Sequence, residues 1–309
     1  MTKSLDLPPP IETADAVMED GAVIRLRRYG NAAGARLILC HGNGFATDAY
    51  YPFWRHLLGD YDLVIHDLRN HGQNPFHGSI GHNLHRFALD HEALRGAVSE
   101  HFGTKPTAGI FHSVSSLAAI VQTVTRGLVW DALVLVDPPL IPSPGHRLRE
   151  NVFAAEIMLA NWAMQRPDRF SEPGELAAIF RDTRAMSNWT EGTHDLLARG
   201  ILRPEDGEWV LACPRELEAS VYAENAHSTI WSMLPDLKPF ADRIGFMSAD
   251  PDLEGAKPHA AIGRAVHDEF GYLTETVSGT GHMLQVERPQ SCAETVRRLL
   301  AQMSFGPAS

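Results

Sequence analysis

The sequence predicts an α/β fold, with a mostly parallel central sheet flanked by helices and interrupted by one inserted helical segment. Three observations carry that prediction. Short apolar runs at residues 37–40, 62–67, 107–111 and 131–137 are bounded by turn residues and read as strands buried on both faces. Helix-period stretches alternate with them, an order that gives parallel strands joined by right-handed crossovers. Between residues 141 and 234 the strand texture disappears, and after Pro235 it returns.

The elements follow in order. Residues 1–12, with Pro8, Pro9 and Pro10, read as an extended lead-in. Between residues 14 and 29 two short apolar runs flank Glu19-Asp20-Gly21, a hairpin signal. A strand at 37–40, a helix at 50–58 and a strand at 62–67 come next, then a helix at about 84–101 that lines up Leu84, Phe87, Leu94 and Val98. The strand at 107–111 runs directly into an apolar helix at 115–124, and the strand at 131–137 stops at Pro138-Pro139. The inserted segment offers helices at about 146–165, 174–186, 190–199 and 214–224 and no strand alternation. A strand at 243–250, a helix at 258–270, a strand at 272–279 and a helix after Pro289 complete the chain. In the last, Cys292, Val296, Leu299, Leu300 and Met303 form one stripe. The reading is a core of residues 1–140 and 235–309 carrying a helical cap, or lid, at 141–234.

Composition narrows the function. The chain has 309 residues, 44% of them hydrophobic, which excludes a disordered protein. With 27 Lys+Arg against 38 Asp+Glu the net charge is −11, which argues against nucleic acid or an anionic membrane as partner, because both need basic surface. No apolar run reaches the roughly 18–20 residues of a membrane span, and the start lacks a secretion signal. A soluble, cytoplasmic protein is expected, monomeric or a homodimer. Cys40, Cys213 and Cys292 are far apart in sequence and read as reduced core residues, with no disulfide or zinc framework.

The chemistry concentrates in three loops. Residues 111–115, FHSVS, lie at a strand-to-helix junction, where a sharp turn exposes a serine hydroxyl and sets the next N–H at a helix N-terminus. Ser113 there reads as a nucleophile or as a plain helix cap, a role open to Ser115 and Ser116 as well. HGNGF at 41–45 follows the first long strand, GTGHM at 279–283 follows the last, and the acidic SADPDL at 248–253 follows the strand before it. Hydroxyl, carboxylate and imidazole thus arise in the chain order Ser, Asp, His at one edge of the sheet, as in α/β-hydrolases.

On these motifs the chain resembles the α/β-hydrolase superfamily over nearly its whole length. HGNGF is similar to the HGxG oxyanion loop, DLRNHG at 67–72 to the D-x-R-G-x-G turn, FHSVS to the G-H-S-x-G elbow and GTGH at 279–282 to the histidine loop. Residues 200–222, GILRPEDGEWVLACPRELEASVY, resemble a segment of a bacterial and fungal subgroup with esterase- or lipase-like members. The chain departs from the family at Phe111, where Gly or another small residue is usual two positions before the nucleophile. The resemblance implies an α/β-hydrolase fold and a cofactor-independent serine hydrolase.

In that reading Ser113 is the nucleophile and His282 the base that takes its proton. Asp250 is the expected acid, with Asp252 the alternative and Asp137, before Pro138-Pro139, a third candidate read chiefly as a turn. The backbone N–H groups of Asn43 and Val114 would hold the oxyanion. The expected reaction is cleavage of a carboxylic ester of a mostly apolar small molecule. C–C bond, lactone or amide hydrolysis by the same triad and a non-catalytic binding module remain alternatives. Five histidines, His71, His77, His82, His85 and His91, fall in one short stretch; His82 and His85, three apart beside a helix start, read as a surface pair, and no metal is expected. His41, His112, Asp67 and Arg69 read as structural, the last two as a pair fixing a turn. Phe153, Met158, Trp162, Met164, Phe180, Met186, Trp189, Trp231 and Met233 are expected to fill the cap interior, a few of them facing the substrate.

Overall fold

A computed structural model describes residues 5–306, so residues 1–4 of the predicted lead-in lie outside it; residues 5–11 are without regular secondary structure. β1 (Glu12–Val17) and β2 (Val23–Gly30) form the predicted hairpin, closed by the Met18 N–H to the Ala22 carbonyl at 2.8 Å with Gly21 at φ 86°. β3 (Arg36–Cys40) follows, then α1 (Tyr51–Trp54), a single turn where a longer helix was expected. β4 (Asp62–Ile65), α2 (Leu84–Phe102), β5 (Thr107–His112), α3 (Val114–Arg126) and β6 (Ala132–Val136) complete the first half.

The chain then enters the insertion: α4 (Arg149–Gln165), β7 (Arg169–Phe170), α5 (Pro173–Asp182), α6 (Thr193–Ile201), β8 (Leu202–Glu205), β9 (Glu208–Leu211) and α7 (Arg215–Ala226). A run of 3-10 turns over Ile230–Arg243, containing Pro235 and Pro239, returns it to the sheet. β10 (Ile244–Ser248), α8 (Ala260–Phe270), β11 (Leu273–Thr276), the one-turn α9 (Leu284–Glu287) and α10 (Pro289–Gln302) finish the fold.

Eight strands form one sheet in the order β1-β2-β4-β3-β5-β6-β10-β11. The pairs from β4 to β11 are parallel, and only β1 with β2 and β2 with β4 run antiparallel. Every residue of β3, β4, β5, β6 and β10 is buried, as continuous apolar runs require. Alternate residues feed two cores. Ile38, Cys40, Phe111, Leu133 and Phe246 face α2, α3 and α8, whereas Leu37, Leu39, Ile110, Val134 and Met247 face α1, α9 and α10. The predicted stripe of α10 is buried from Cys292 to Met303, each large apolar side chain contributing roughly 1.5–3 kcal/mol.

Two expectations about the insertion need correcting. It contains strands: β7, β9 and β8 pair antiparallel in a small sheet. The β8–β9 turn is Asp206-Gly207, both at positive φ (51° and 87°), which is the turn chemistry of a two-residue hairpin. The expected cap interior is also only partly realised. Phe180, Trp189 and Trp231 are buried, but Met158, Trp162 and Met164 on α4 are 58%, 42% and 47% exposed. The buried face of α4 consists of Val152, Ala155, Glu156 and Ala163, a narrow stripe with a carboxylate in it.

Candidate active site

The strand order places the site. β3 lies between β4 and β5, so the chain winds one way to β4 and the other way from β5 onward, and a crevice opens past the carboxyl ends of β3 and β5. The loops after those two strands hold Gly42-Asn43-Gly44 and Ser113.

Ser113 joins β5 to α3 with φ 56° and ψ −121°, a strained backbone for a residue with a side chain. Its hydroxyl makes no helix-capping bond. The turn is tied from both sides. The Ser113 N–H donates to the Val136 carbonyl at 2.9 Å, and the Ser116 hydroxyl donates to the Phe111 carbonyl while accepting the Val136 N–H at 3.1 Å. Phe111 is fully buried on the α2 side of the sheet, stacked on His91 at 4.3 Å and edge-on to Trp130 at 5.2 Å. Its ring occupies the space above Gly109, where a Cβ would come within 2.5 Å of Phe111 Cε2. The small residue of this elbow therefore sits two positions earlier on the same strand face, at Gly109.

His282 lies on the loop after β11 and bridges two groups. Its Nε2 is 3.0 Å from Ser113 Oγ and its Nδ1 is 2.6 Å from Asp137 Oδ2. The carboxylate against the ring is thus Asp137, and the expectation of Asp250 is corrected. Asp137 follows β6 at φ 42°, its N–H bonded to the Met247 carbonyl at 2.7 Å and its Oδ1 accepting the Ala249 N–H at 3.0 Å. Asp250 serves the loop instead: its carboxylate accepts the N–H of Gly279 at 2.8 Å and of Asp252 at 2.9 Å, and its own N–H reaches the Thr280 carbonyl. Asp252 faces outward and pairs with Arg264. A ring held in this way can take a proton from the hydroxyl at Nε2 while Nδ1–H stays on the carboxylate.

The Gly42 loop presses on Ser113. A Cβ on Gly42 would lie 2.9 Å from Ser113 Cβ, so only glycine allows this approach. The Gly44 N–H donates to His71 Nε2 at 3.2 Å and the Phe45 N–H to the Gly42 carbonyl. The N–H groups of Asn43 and Val114 meet no protein acceptor among the described residues. Tyr50 and His112, neither of them predicted as functional, tie this loop to the histidine loop. The Gly42 N–H reaches Tyr50 Oη at 3.3 Å, Tyr50 donates to His112 Nδ1 at 2.6 Å, and His112 Nε2–H donates to the His282 carbonyl at 2.9 Å. Burial, reinforced by the neighbouring His282, holds His112 well below the ordinary imidazole range and therefore neutral.

The insertion meets this loop with polar groups. Asn43 Nδ2 donates to the Glu218 carbonyl at 2.8 Å, and the Glu218 carboxylate lies on Gly44 and pairs with Arg166. Burial pushes the Glu218 carboxyl up against the opposing pull of Arg166. On the other side His259, whose ring lies 5.9 Å from that of His282, bonds Glu156 at 2.9 Å, and Asn225 bridges Glu156 to the Pro139 carbonyl. No spacing in the sequence announces these contacts, because each joins segments tens of residues apart.

The remaining predicted residues divide. His77 and His85 are exposed, and His71, His82 and His91 are buried, which for His82 overturns the surface reading. Asp67 and Arg69 do not pair. Asp67 accepts from Thr47 N–H, Gln73 N–H and Arg27, while Arg69 ties Asp20 of the first hairpin to Asp90 of α2. His41 bonds the Gly42 carbonyl and accepts the Leu68 N–H.

A model of the alpha/beta hydrolase family matches residues 37–295. The chain belongs to that family. As an alpha/beta hydrolase it shares its fold with many solved structures. One is E-2-(acetamidomethylene)succinate hydrolase, 14% identical over 94% of this chain and 100% of that one, with a TM-score of 0.72. Another is an alpha/beta hydrolase from Novosphingobium aromaticivorans, 16% identical over 96% and 100%, TM-score 0.71. A third is the thioesterase domain from the curacin biosynthetic pathway, 16% identical over 92% and 98%, TM-score 0.70. At these identities the likeness is one of fold. No curated protein matches this alpha/beta hydrolase in sequence. Among its described residues no helix is long and apolar enough to cross a membrane.

Proposed function

We propose that this alpha/beta hydrolase is a cofactor-independent serine hydrolase that cleaves carboxylic esters of small molecules. The observation that carries the reading is the bridge made by His282, 3.0 Å from the Ser113 hydroxyl and 2.6 Å from the Asp137 carboxylate. His282 takes the Ser113 proton as Oγ attacks the ester carbonyl, and the N–H groups of Asn43 and Val114 hold the oxyanion, each such donor being worth roughly 3–4 kcal/mol in the transition state. His282 returns the proton to the departing alcohol. Water, activated by the same imidazole, then releases the acid and restores Ser113.

Residues 141–234 act as a cap in this reading, which the contacts of Glu218 with Asn43 and Gly44 support. The buried charges that the cap brings to the site, Glu218, Arg166 and Glu156, favour a substrate with a polar group near the ester over a purely apolar one. Fluorophosphonate labelling tests the proposal. Wild type should label stoichiometrically and turn over short-chain p-nitrophenyl esters, and Ser113→Ala should do neither. Equal labelling of Ser113→Ala would reject it.

A further inference from the structure

Two Cys–His–His clusters lie outside the triad, and both draw on the histidine-rich stretch. In one, His71, His82 and Cys213 bring their ligand atoms within 4.8 Å of one another. There the His71 nitrogens are already used, Nδ1 on the Arg69 carbonyl and Nε2 on the Gly44 N–H. The other comprises Cys40 at the end of β3, His66 after β4 and His91 in α2, again within 4.8 Å and all at most 2% exposed.

This second cluster has unused donor atoms. His66 Nδ1–H donates to the Asp67 carbonyl at 3.2 Å, which leaves the lone pair on Nε2, and Nε2 is buried with no protein partner among the described residues. His91 has none on either ring nitrogen. Leaving buried polar atoms unpaired is costly, so three of them beside a thiol need a physical reason. A carbonyl that fixes one ring tautomer is the usual outer support of a histidine ligand.

We propose that Cys40, His66 and His91 bind one monovalent soft metal ion, Cu+. Thiolate and imidazole are ligands suited to this ion. Charge selects it further. The Cys40 thiol loses its proton to solvent on binding, and Cu+ with one thiolate is neutral, whereas Zn2+ with the same three ligands would leave a net positive charge in a dry core. The nearby carboxylates do not alter that balance, since Asp67 is paired with Arg27 and Asp90 with Arg69. The ion would lie behind the elbow, against the Phe111 ring that stacks on His91 and meets His66 edge-on at 6.4 Å.

The test uses full-length protein expressed in copper-supplemented cells and kept anaerobic, challenged with bicinchoninate as a competing Cu+ chelator. Wild type and Ser113→Ala should each retain one copper per chain, with an X-ray absorption spectrum of one sulfur and two nitrogen neighbours. Cys40→Ser and His91→Gln should lose it to the chelator at least 100-fold more readily, while Cys213→Ser retains it. The wild-type spectrum is independent of whether any variant folds. Loss of all copper from wild type, a spectrum without sulfur, retention by Cys40→Ser or loss from Cys213→Ser would each overturn the proposal. Because Ser113→Ala is scored for copper alone, failure of the esterase reading leaves this result separate.

Discussion

Each ring nitrogen of His282 has one partner, and the two partners come from the ends of different strands. This makes the acid a question about geometry rather than about order. Ser, Asp, His is the chain order whether the acid is Asp137 or Asp250, and β6 and β10 are parallel neighbours ending at one edge. An aspartate follows each strand. What separates them is the φ of 42° at Asp137, which turns its carboxylate toward the ring, and the two N–H groups that occupy Asp250. Neither is written in a hydrophobic pattern, and Pro138-Pro139 drew attention to the turn. Ser113 and His282 were legible because a strand-to-helix serine and a glycine-flanked histidine are local signals. Asp137→Asn should leave the fold intact and lower kcat by about 10⁴, through loss of the correct imidazole tautomer. Asp250→Asn keeps an oxygen for the Gly279 N–H and should stay within about tenfold of wild type. Steady-state kinetics on p-nitrophenyl acetate separate the two, and the reverse ranking would return the role to Asp250.

The β5–α3 elbow departs from the G-H-S-x-G pattern at Phe111, and this departure is internally compensated. Phe111 fills the face where a small residue is usual, and Gly109, two residues back on that face, leaves room for the ring. The strand period of two links these positions, so TAGIF contained the answer. The β8–β9 hairpin was hidden, since its Asp-Gly signal is short and its strands are four residues each, too brief to show alternation. Gly109→Ala would set a Cβ 2.5 Å from Phe111 and 3.2 Å from Leu133, and should cost about 1–3 kcal/mol in urea unfolding. In a Phe111→Leu background the same change should cost measurably less. Additive costs would mean that the two residues do not share that space.

At the scale of the whole molecule the mostly parallel sheet and its flanking helices followed from alternation of apolar runs, whereas the burial of the histidines did not. The chain has 16 histidines and a formal charge of −11 with all of them neutral. His71, His82 and His112 are all buried. Burial holds His82 down to about 4 and the other two well below the ordinary imidazole value. In the unfolded chain each takes up a proton near pH 6.5. The unfolded state therefore binds more protons than the folded state below that pH. Stability is fully present above pH 6.5 and falls as the pH drops toward the folded values. Depressed carboxylates act much lower; Asp20, held to about 2 by its bond to Arg69, loses its contribution only below the ordinary aspartate range. Between pH 7.5 and 5.5 each of the three histidines should remove roughly 1.4 kcal/mol, about 4 kcal/mol together. Urea unfolding at the two pH values checks this, with His82→Gln expected to remove about 1.4 kcal/mol of the dependence. An unchanged urea midpoint at pH 5.5 would show that these imidazoles protonate within the folded protein.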